Sequence, residues 1–286
     1  MSELTVTRFA PSPTGHLHLG HAHSALAGFT AANEAQGRFL LRIEDIDLAR
    51  CRPEFEQGIY EDLAWLGLRW EQPVRRQSEH FADYAAALKR LQDAALLYPC
   101  FCTRKQIQQE IAQSPSAPHG PDGPLYPGTC RRLSEAERSR RMTTGESFAW
   151  RLDLAAATAQ FAGMPLTWTD DSRGEIIARP EQFGDVVLAR KDAPTSYHLA
   201  VVVDDALQGI TLVTRGEDLF AATHIHRLLQ ALLGLPVPRY RHHRLLTDSA
   251  GRRLAKRDAA SSLQKLKAAG LSPAEVRSLA GFPRPI

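Results

Sequence analysis

The segment Arg8-Phe9-Ala10-Pro11-Ser12-Pro13-Thr14-Gly15, with His18-Leu19-Gly20-His21 behind it, limits the fold more than any other stretch. Residues 4–10 read as a strand that runs into a stiff Pro/Gly turn. Residues 18–35 are rich in alanine and carry a helical pattern, and residues 38–43 (Arg-Phe-Leu-Leu-Arg-Ile) read as a second strand. A strand, a helix and a strand in that order call for two parallel strands joined by a right-handed crossover. The expected class is therefore α/β, with helices covering a parallel sheet. A chain of 286 residues can bury a sizeable core and suits one large domain or two moderate ones.

Farther along, Pro53 suits a first helical position, and Phe55, Ile59, Leu63 and Leu66 continue with helical spacing. Phe81, Tyr84, Leu88 and Leu91 mark another helix, with Ser78 as its cap. Residues 113–129 contain Pro115, Pro118, Pro121, Pro124 and Pro127, which excludes a regular element. Ser134 and Glu137 have capping-box spacing, so a short helix follows. Leu199–Val203 and Ile210–Thr214 read as two short buried strands, and a helix carries Leu228, Leu229, Leu232 and Leu233. Two small helices end the chain, the last opened by Ser272-Pro273 and stopped near Gly281. The expected organisation is a catalytic domain in two halves, 1–96 and 191–240. An insertion at 97–190 separates them, and a loop with a short helical segment occupies 241–286. There is no internal repeat.

The formal charge of +3 permits a nucleic-acid partner without arguing for one. No apolar run approaches the roughly 18 residues of a membrane span. The N-terminus lacks the pattern of a secretory signal, so a cytoplasmic chain with no membrane partner is expected. Nothing in the pattern demands an obligate interface, which favours a monomer. In a reducing compartment Cys51, Cys100, Cys102 and Cys130 suit metal binding or plain burial better than disulfides.

The first candidate site is for a nucleotide. His18 and His21 lie one turn apart near a helix start, where imidazole N–H groups and the helix N-terminus can both meet phosphate oxygens. Gly20 lets an adenine or ribose pack against the backbone. The plainer reading of His-x-x-His is a helix cap or a metal pair. Gly251-Arg252-Arg253-Leu254-Ala255-Lys256-Arg257 is a basic, Gly-led loop whose lysine can neutralise charge as pyrophosphate leaves. A solvated surface run is the plainer reading here. Arg239, Arg241, His242, His243 and Arg244 form a further basic cluster, either a phosphate contact or a solvated loop.

The second candidate site is for an amino acid. Glu44 and Asp45 close the second strand, and ligands of parallel sheets bind at strand carboxyl ends. A carboxylate there can hold a substrate ammonium, while an N-cap at Asp47 or a Mg²⁺ site are the alternatives. Arg215 follows a strand in the same way and can grip a carboxylate with two parallel bonds, and Tyr197 offers a phenol.

Together, His18-Leu19-Gly20-His21 and Arg253-Leu254-Ala255-Lys256-Arg257 resemble the HIGH and KMSKS signatures of class I aminoacyl-tRNA synthetases. In the second signature arginine replaces the first lysine and alanine the serine. Arg-Phe-Ala-Pro-Ser-Pro-Thr-Gly, Arg-Ile-Glu-Asp-Ile-Asp, Ala-Val-Val-Val-Asp-Asp and Arg-Gly-Glu-Asp-Leu resemble the catalytic domain of glutamyl-tRNA synthetases, in the family's order. That resemblance implies a Rossmann-like catalytic domain with an acceptor-binding-like insertion. Arg8, Phe9, Ala10, Pro11, Ser12, Glu44, Tyr197 and Arg215 would bind glutamate, with Glu44 on the ammonium and the arginines on the carboxylates. His18, Gly20, His21 and Lys256 would bind ATP, with His18, His21 and Lys256 catalytic, and Mg²⁺ would accompany ATP. His198 stands where asparagine is expected.

About 29 residues follow Arg257, too few for an anticodon-binding domain with its own core. The chain thus resembles the short paralogues of this family, the glutamyl-Q tRNA(Asp) synthetases. The resemblance implies a ligase that activates L-glutamate with ATP, releasing pyrophosphate, without needing tRNA. It then transfers glutamate to the queuosine base at the wobble position of tRNA(Asp), so the tRNA(Asp) anticodon loop is the expected partner. A truncated glutamyl-tRNA synthetase charging a tRNA 3′ end, and a catalytically silent tRNA-binding module, are the alternatives. Cys100, Cys102, Tyr126 and Cys130 bracket the Pro-rich stretch and resemble a structural zinc site for one ion, with His119 as another ligand candidate and buried, metal-free thiols as the plainer reading.

Overall fold

The first strand shows no alternation because it is covered on both faces: β1 (Val6–Phe9) is buried along its whole length. A computed structural model describes residues 4–112, 119–121, 123–246 and 262–284. After α1 (Leu19–Glu34), β2 (Arg38–Ile43) returns parallel to β1, with Val6 opposite Arg38 and Phe9 opposite Leu41. Two glycines allow so close a return. A Cβ on Gly37 would lie 2.0 Å from the Thr5 carbonyl oxygen, and one on Gly28 would meet Thr214 Oγ1 at 2.9 Å. α2 (Pro53–Trp65) opens with its proline, β3 (Arg75–Arg76) adds beside β2, and α3 (Phe81–Asp93) completes this half.

The chain then runs through β4 (Leu97–Cys100), α4 (Arg104–Ala112), β5 (His119–Gly120), β6 (Gly123–Pro124) and α5 (Glu135–Thr143). It continues with β7 (Ala149–Leu152), α6 (Leu154–Ala159), β8 (Thr167–Asp170), β9 (Gly174–Ile177) and β10 (Val187–Ala189). Strands β10, β7 and β4 form an antiparallel sheet. The last third holds α7 (Tyr197–Leu207), β11 (Leu212–Gly216), α8 (Ala222–Leu232), β12 (Arg239–His243), α9 (Leu263–Ala268) and α10 (Pro273–Leu279). β11 pairs in parallel with β12 and β12 with β8, while β9 closes the edge. β11 in turn lies against β1, where the Thr211 N–H donates to the Val6 carbonyl at 3.0 Å. The hairpin β8–β9, from within 97–190, thus extends the sheet that carries β11 and β12.

Leu26, Leu41, Ile59 and Leu63 pack under α1 and α2, and the terminal helices join this cluster through Leu263 and Val276. A second cluster of Leu88, Leu152, Leu188, Leu199, Ile225 and Leu228 binds α3, α7 and α8 to the antiparallel sheet. Among the described residues no helix is long and apolar enough to cross a membrane.

Three sequence expectations are corrected. Leu199–Val203 lies in α7, not in a strand. Its five apolar residues are all buried, so no polar face betrays the helical period. Ser78 does not cap α3. It lies in a short 3-10 turn and donates through its N–H and hydroxyl to Asp45, while His80 holds the N-cap position. Within 113–129 the described residues include a minimal hairpin, β5–β6, where no regular element was expected.

Asp62 on α2 is buried, and its Oδ2 has no hydrogen-bond partner. Burial pushes its carboxyl up to about 6, against a lowering pull from Lys267. In the unfolded chain the group titrates at about 3.9. The folded state therefore holds the proton more tightly, and stability falls as pH rises through this window, with the full cost present above it. Asp62→Asn is expected to gain about 1–2 kcal/mol in urea unfolding near neutral pH and nothing below about pH 4.

Candidate active site

The carboxyl ends of β1, β2 and β11 meet at one edge of the sheet, where parallel sheets bind ligands. A cavity of about 480 Å³ opens there. Its wall carries Arg8, Phe9, Ala10, Pro11 and Ser12 from the end of β1, Glu44 from the end of β2, Tyr197 from the start of α7, and Arg215 from β11. His18, Gly20 and His21 line the same cavity from the start of α1. The structure thus gathers every expected glutamate and nucleotide residue except Lys256, which lies outside the described residues, as do Arg253 and Ala255. The described chain reaches the cavity at Leu245 and Leu246. It resumes at Ser262, which pairs with His18, and the Leu263 N–H donates to the Leu17 carbonyl at 2.8 Å.

The two histidines cap α1 reciprocally. The Gly20 N–H donates to His18 Nδ1 at 3.1 Å, and the His18 N–H donates to His21 Nδ1 at 3.2 Å. Their rings stack at 3.8 Å. Both Nδ1 atoms accept, so each neutral ring carries its proton on Nε2.

Behind Glu44 lies a buried charge network. Arg42 has no exposed side-chain surface and donates to Asp205 at 2.8 Å, Gln208 at 3.0 Å and Glu44 at 3.1 Å, with Asp204 at 3.6 Å. Arg8 grips Asp205 with Nε and Nη2, at 2.9 and 3.2 Å, and its Nη1 donates to the Thr214 carbonyl at 3.4 Å. Asp204 also accepts from Arg75, Gln77 and Tyr84. Burial works to raise Asp205, but Arg8 and Arg42 overcome it and hold the carboxyl below its usual range. At Glu44 burial wins over Arg42 and Arg8, and the carboxyl is raised. Glu44 therefore stands with less positive charge than it can use.

Arg215 has the opposite deficit. Its Nε donates to His242 Nε2 at 3.1 Å, its Nη1 to His226 Nδ1 at 3.3 Å and its Nη2 to Thr223 Oγ1 at 2.6 Å. It is 5% exposed, and among the described residues no carboxylate oxygen comes within 4.0 Å of its nitrogens. A buried guanidinium met only by neutral acceptors, facing a cavity, suits a ligand carboxylate. Tyr197 lines the same cavity, close enough to feel the charges of both Arg215 and Glu44. The cavity can therefore take a zwitterion with a second carboxylate.

Residues 5–280 match the family described as tRNA synthetases class I (E and Q), catalytic domain. The chain belongs to that family. It is 51% identical to the glutamyl-Q tRNA(Asp) synthetase of Rhodobacter capsulatus over 97% of this chain and 100% of that one. It is 37% identical to the glutamate–tRNA ligase of Aquifex aeolicus, over 93% of this chain and 54% of that protein. The crystal structure of a glutamate tRNA ligase from Elizabethkingia meningosepticum, in complex with its amino acid, superposes with a TM-score of 0.79 at 28% identity, covering 97% of this chain and 60% of that chain. This synthetase is thus a ligase whose fold is the class I catalytic α/β domain.

A second cluster lies in the middle segment of the synthetase. The sulfurs of Cys100, Cys102 and Cys130 all lie within 4.8 Å of one another. The Tyr126 hydroxyl stands 3.4 Å from both Cys100 and Cys102 and accepts from the Cys130 N–H at 2.9 Å. The expected four ligands thus converge. The His119 side chain lies outside the described set. Burial raises Cys102 to about 11, whereas at Cys130 bonds from Tyr126 and the Phe101 N–H outweigh burial and lower the thiol. Three soft donors and a phenol, ringed by Tyr98, Phe101 and Phe148, fit a tetrahedral zinc ion better than a hard cation.

Sequence reasoning missed Arg42, Asp204 and Asp205 behind Glu44, and Thr223, His226, His242 and Asp170 around Arg215. Asp204-Asp205 carried one signal, a pair of acids abutting a fully apolar run. The basic cluster of β12 is largely neutralised: Arg239 and Arg241 both pair with Asp171, and His242 is buried. Asp47 does not cap a helix. It accepts from Arg50 and Arg190, while Arg52 holds the N-cap of α2. Cys51 lies 4.0 Å from the Ser12 hydroxyl. Arg42→Met leaves Asp204, Asp205 and Glu44 without their common cation. A loss of about 3–5 kcal/mol is expected, read as a lower urea midpoint at neutral pH.

Proposed function

We propose that this synthetase activates L-glutamate with ATP, without needing tRNA, and transfers it to the queuosine base at the wobble position of tRNA(Asp). The observation that carries the glutamate reading is the pairing of deficits in one cavity: Arg215 lacks an anion and Glu44 lacks part of its cation. Glutamate supplies both, a carboxylate for Arg215 and an ammonium for Glu44. The acceptor rests on the Rhodobacter capsulatus relative, which the chain matches over its full length and whose name states tRNA(Asp).

In activation, an α-carboxylate oxygen attacks the α-phosphorus of ATP, the bond to the bridging oxygen breaks, and pyrophosphate leaves. No general base is required, because the nucleophile is already an anion. Catalysis is positioning and charge stabilisation. Arg8, Ser12 and Tyr197 complete the glutamate site. His18 and His21 donate from Nε2 toward phosphate, Gly20 lets the nucleotide approach the backbone, and Lys256 neutralises the leaving group, with Mg²⁺ on ATP. In transfer, an acceptor hydroxyl attacks the carbonyl of glutamyl-adenylate, loses its proton, and AMP leaves. A cytoplasmic monomer that binds the tRNA(Asp) anticodon loop suits this reaction.

Zinc would be held by Cys100, Cys102, Tyr126 and Cys130, where it would cross-link the end of β4 to the 3-10 turn at Thr129–Arg132 and take no part in the reaction. Purified protein is expected to contain one zinc per chain, lost in Cys102→Ser with a lower melting temperature; zinc-free wild type of equal stability would argue against the site.

The function is tested by the fate of labelled glutamate. Glutamate-dependent ATP–pyrophosphate exchange is expected without tRNA. Label should appear on tRNA(Asp) that carries queuosine and stay absent from tRNA lacking it. Label confined to the 3′-terminal adenosine would replace this reading with 3′-end charging, and no exchange by zinc-loaded protein would end the enzymatic reading.

A further inference from the structure

Arg215 could have been held by an acidic residue, the commonest partner for a buried guanidinium. Instead its three described bonds go to two imidazoles and a hydroxyl. Each ring is locked as a neutral acceptor by what lies behind it. His242 takes the Arg215 Nε–H on Nε2 and points Nδ1 at Asp170 Oδ2, 2.7 Å away, so its proton sits on Nδ1. His226 takes the Nη1–H on Nδ1 and has Nε2 3.2 Å from His198 Nδ1, so its proton sits on Nε2 and passes the chain to His198. Asp170 is thus kept one ring away from Arg215, engaged by His242 and Ser172. Thr223 lies on α8, as does His226, and Tyr240 on β12 faces the guanidinium with its ring at 5.3 Å.

We propose that His226 and His242 are positioning residues that set the preference for an anionic substrate side chain: they fix the Arg215 guanidinium with neutral nitrogens and so leave its charge to the substrate. The inference rests on the reading that Arg215 binds a glutamate carboxylate. Burial and the nearby guanidinium both hold His226 and His242 below the usual imidazole range, which favours their neutral forms at physiological pH. The arrangement has a clear consequence. A carboxylate in place of either ring would satisfy Arg215 internally, and an uncharged amide substrate would then bind about as well as glutamate.

The test compares His226→Asn with His226→Asp, which differ in charge and hardly in shape. Glutamate and glutamine are used as substrates in ATP–pyrophosphate exchange on the whole protein. His226→Asp is expected to raise the glutamate KM by about tenfold or more and to cut the glutamate-over-glutamine ratio of kcat/KM by a similar factor. His226→Asn should lose several-fold less of that ratio. Equal loss in the two variants, or an unchanged ratio in His226→Asp, overturns the proposal. The parent reading has its own control. Arg215→Ala must raise the glutamate KM, and if it does not, both readings fall; if it does while the two His226 variants behave alike, only the proposal falls. If His226→Asp does not fold, nitrogen NMR of the wild-type rings decides. Neutral rings with the proton on Nε2 of His226 and on Nδ1 of His242 support the proposal, and a cationic ring at neutral pH overturns it.

Discussion

The contact on which most of this structure depends is the junction of Asp204 and Asp205 with Arg8, Arg42 and Arg75. One end of α7 supplies both acids, while β1, β2 and β3 each supply one arginine. The helix is therefore seated on the sheet by charge as well as by Leu199 and Val202. A buried pair of this kind contributes little net stability, because desolvation offsets its Coulomb attraction. What it contributes is uniqueness of seating. A shift of α7 by one turn would strand at least two buried carboxylates, at several kcal/mol each. The same seating puts Tyr197 at the cavity and orders Arg8 beside it.

The cavity wall divides into a compensated and an uncompensated part. Arg8 has Asp205, and Arg42 has Asp205 and Glu44, within 3.2 Å, and their charges are largely spent on holding the wall. Glu44 shares Arg42 with Asp205 and is left short of cation, while Arg215 is left short of anion. Incomplete neutralisation inside a folded core costs free energy, and it persists only where the surroundings over-determine it. Here the ends of β2 and β11 are each paired with a neighbouring strand, and the imidazoles around Arg215 are themselves hydrogen-bonded from behind. A ligand that brings both missing charges is bound by a site with little left to rearrange.

The legible parts of the fold were the local ones. The β1–α1–β2 unit could be read because a strand, a turn and an alanine-rich helix each leave a pattern within twenty residues. The place of Glu44 and Arg215 on the cavity wall could be read because each lies at the carboxyl end of a strand of a parallel pair. Leu199–Val203 could not, because a helix buried on all sides has no polar stripe to count. His226 and His242 were illegible for another reason. They lie eleven and twenty-seven residues from Arg215 along the chain, and neither a histidine in a helix nor one in a basic cluster carries a sign of what it will accept from. Asp204 and Asp205 sat in a motif already noticed, yet their partners come from 120 to 197 residues away. Hydrogen-bond acceptors chosen across such separations are properties of the fold, and only the strand ends announce where those choices will matter.

The cap of α1 shows how one local choice serves two ends. An ordinary N-cap would use serine or aspartate, whose short side chain keeps its remaining polar atoms close to the backbone it caps. A histidine at the same position accepts with Nδ1 and still carries a donor on Nε2, about 2 Å farther out across the ring. Two such residues, stacked and reciprocally bonded, satisfy the orphan amides of the helix and present two N–H groups where the helix dipole already favours an anion. The backbone beside them is pinned as well, since Leu17 and His18 pair with Ser262 and Leu263. The terminal helices α9 and α10 are thereby tied to the rim of the cavity, and their burial of Leu263 and Val276 against α1 and α2 stabilises the cap that lines it.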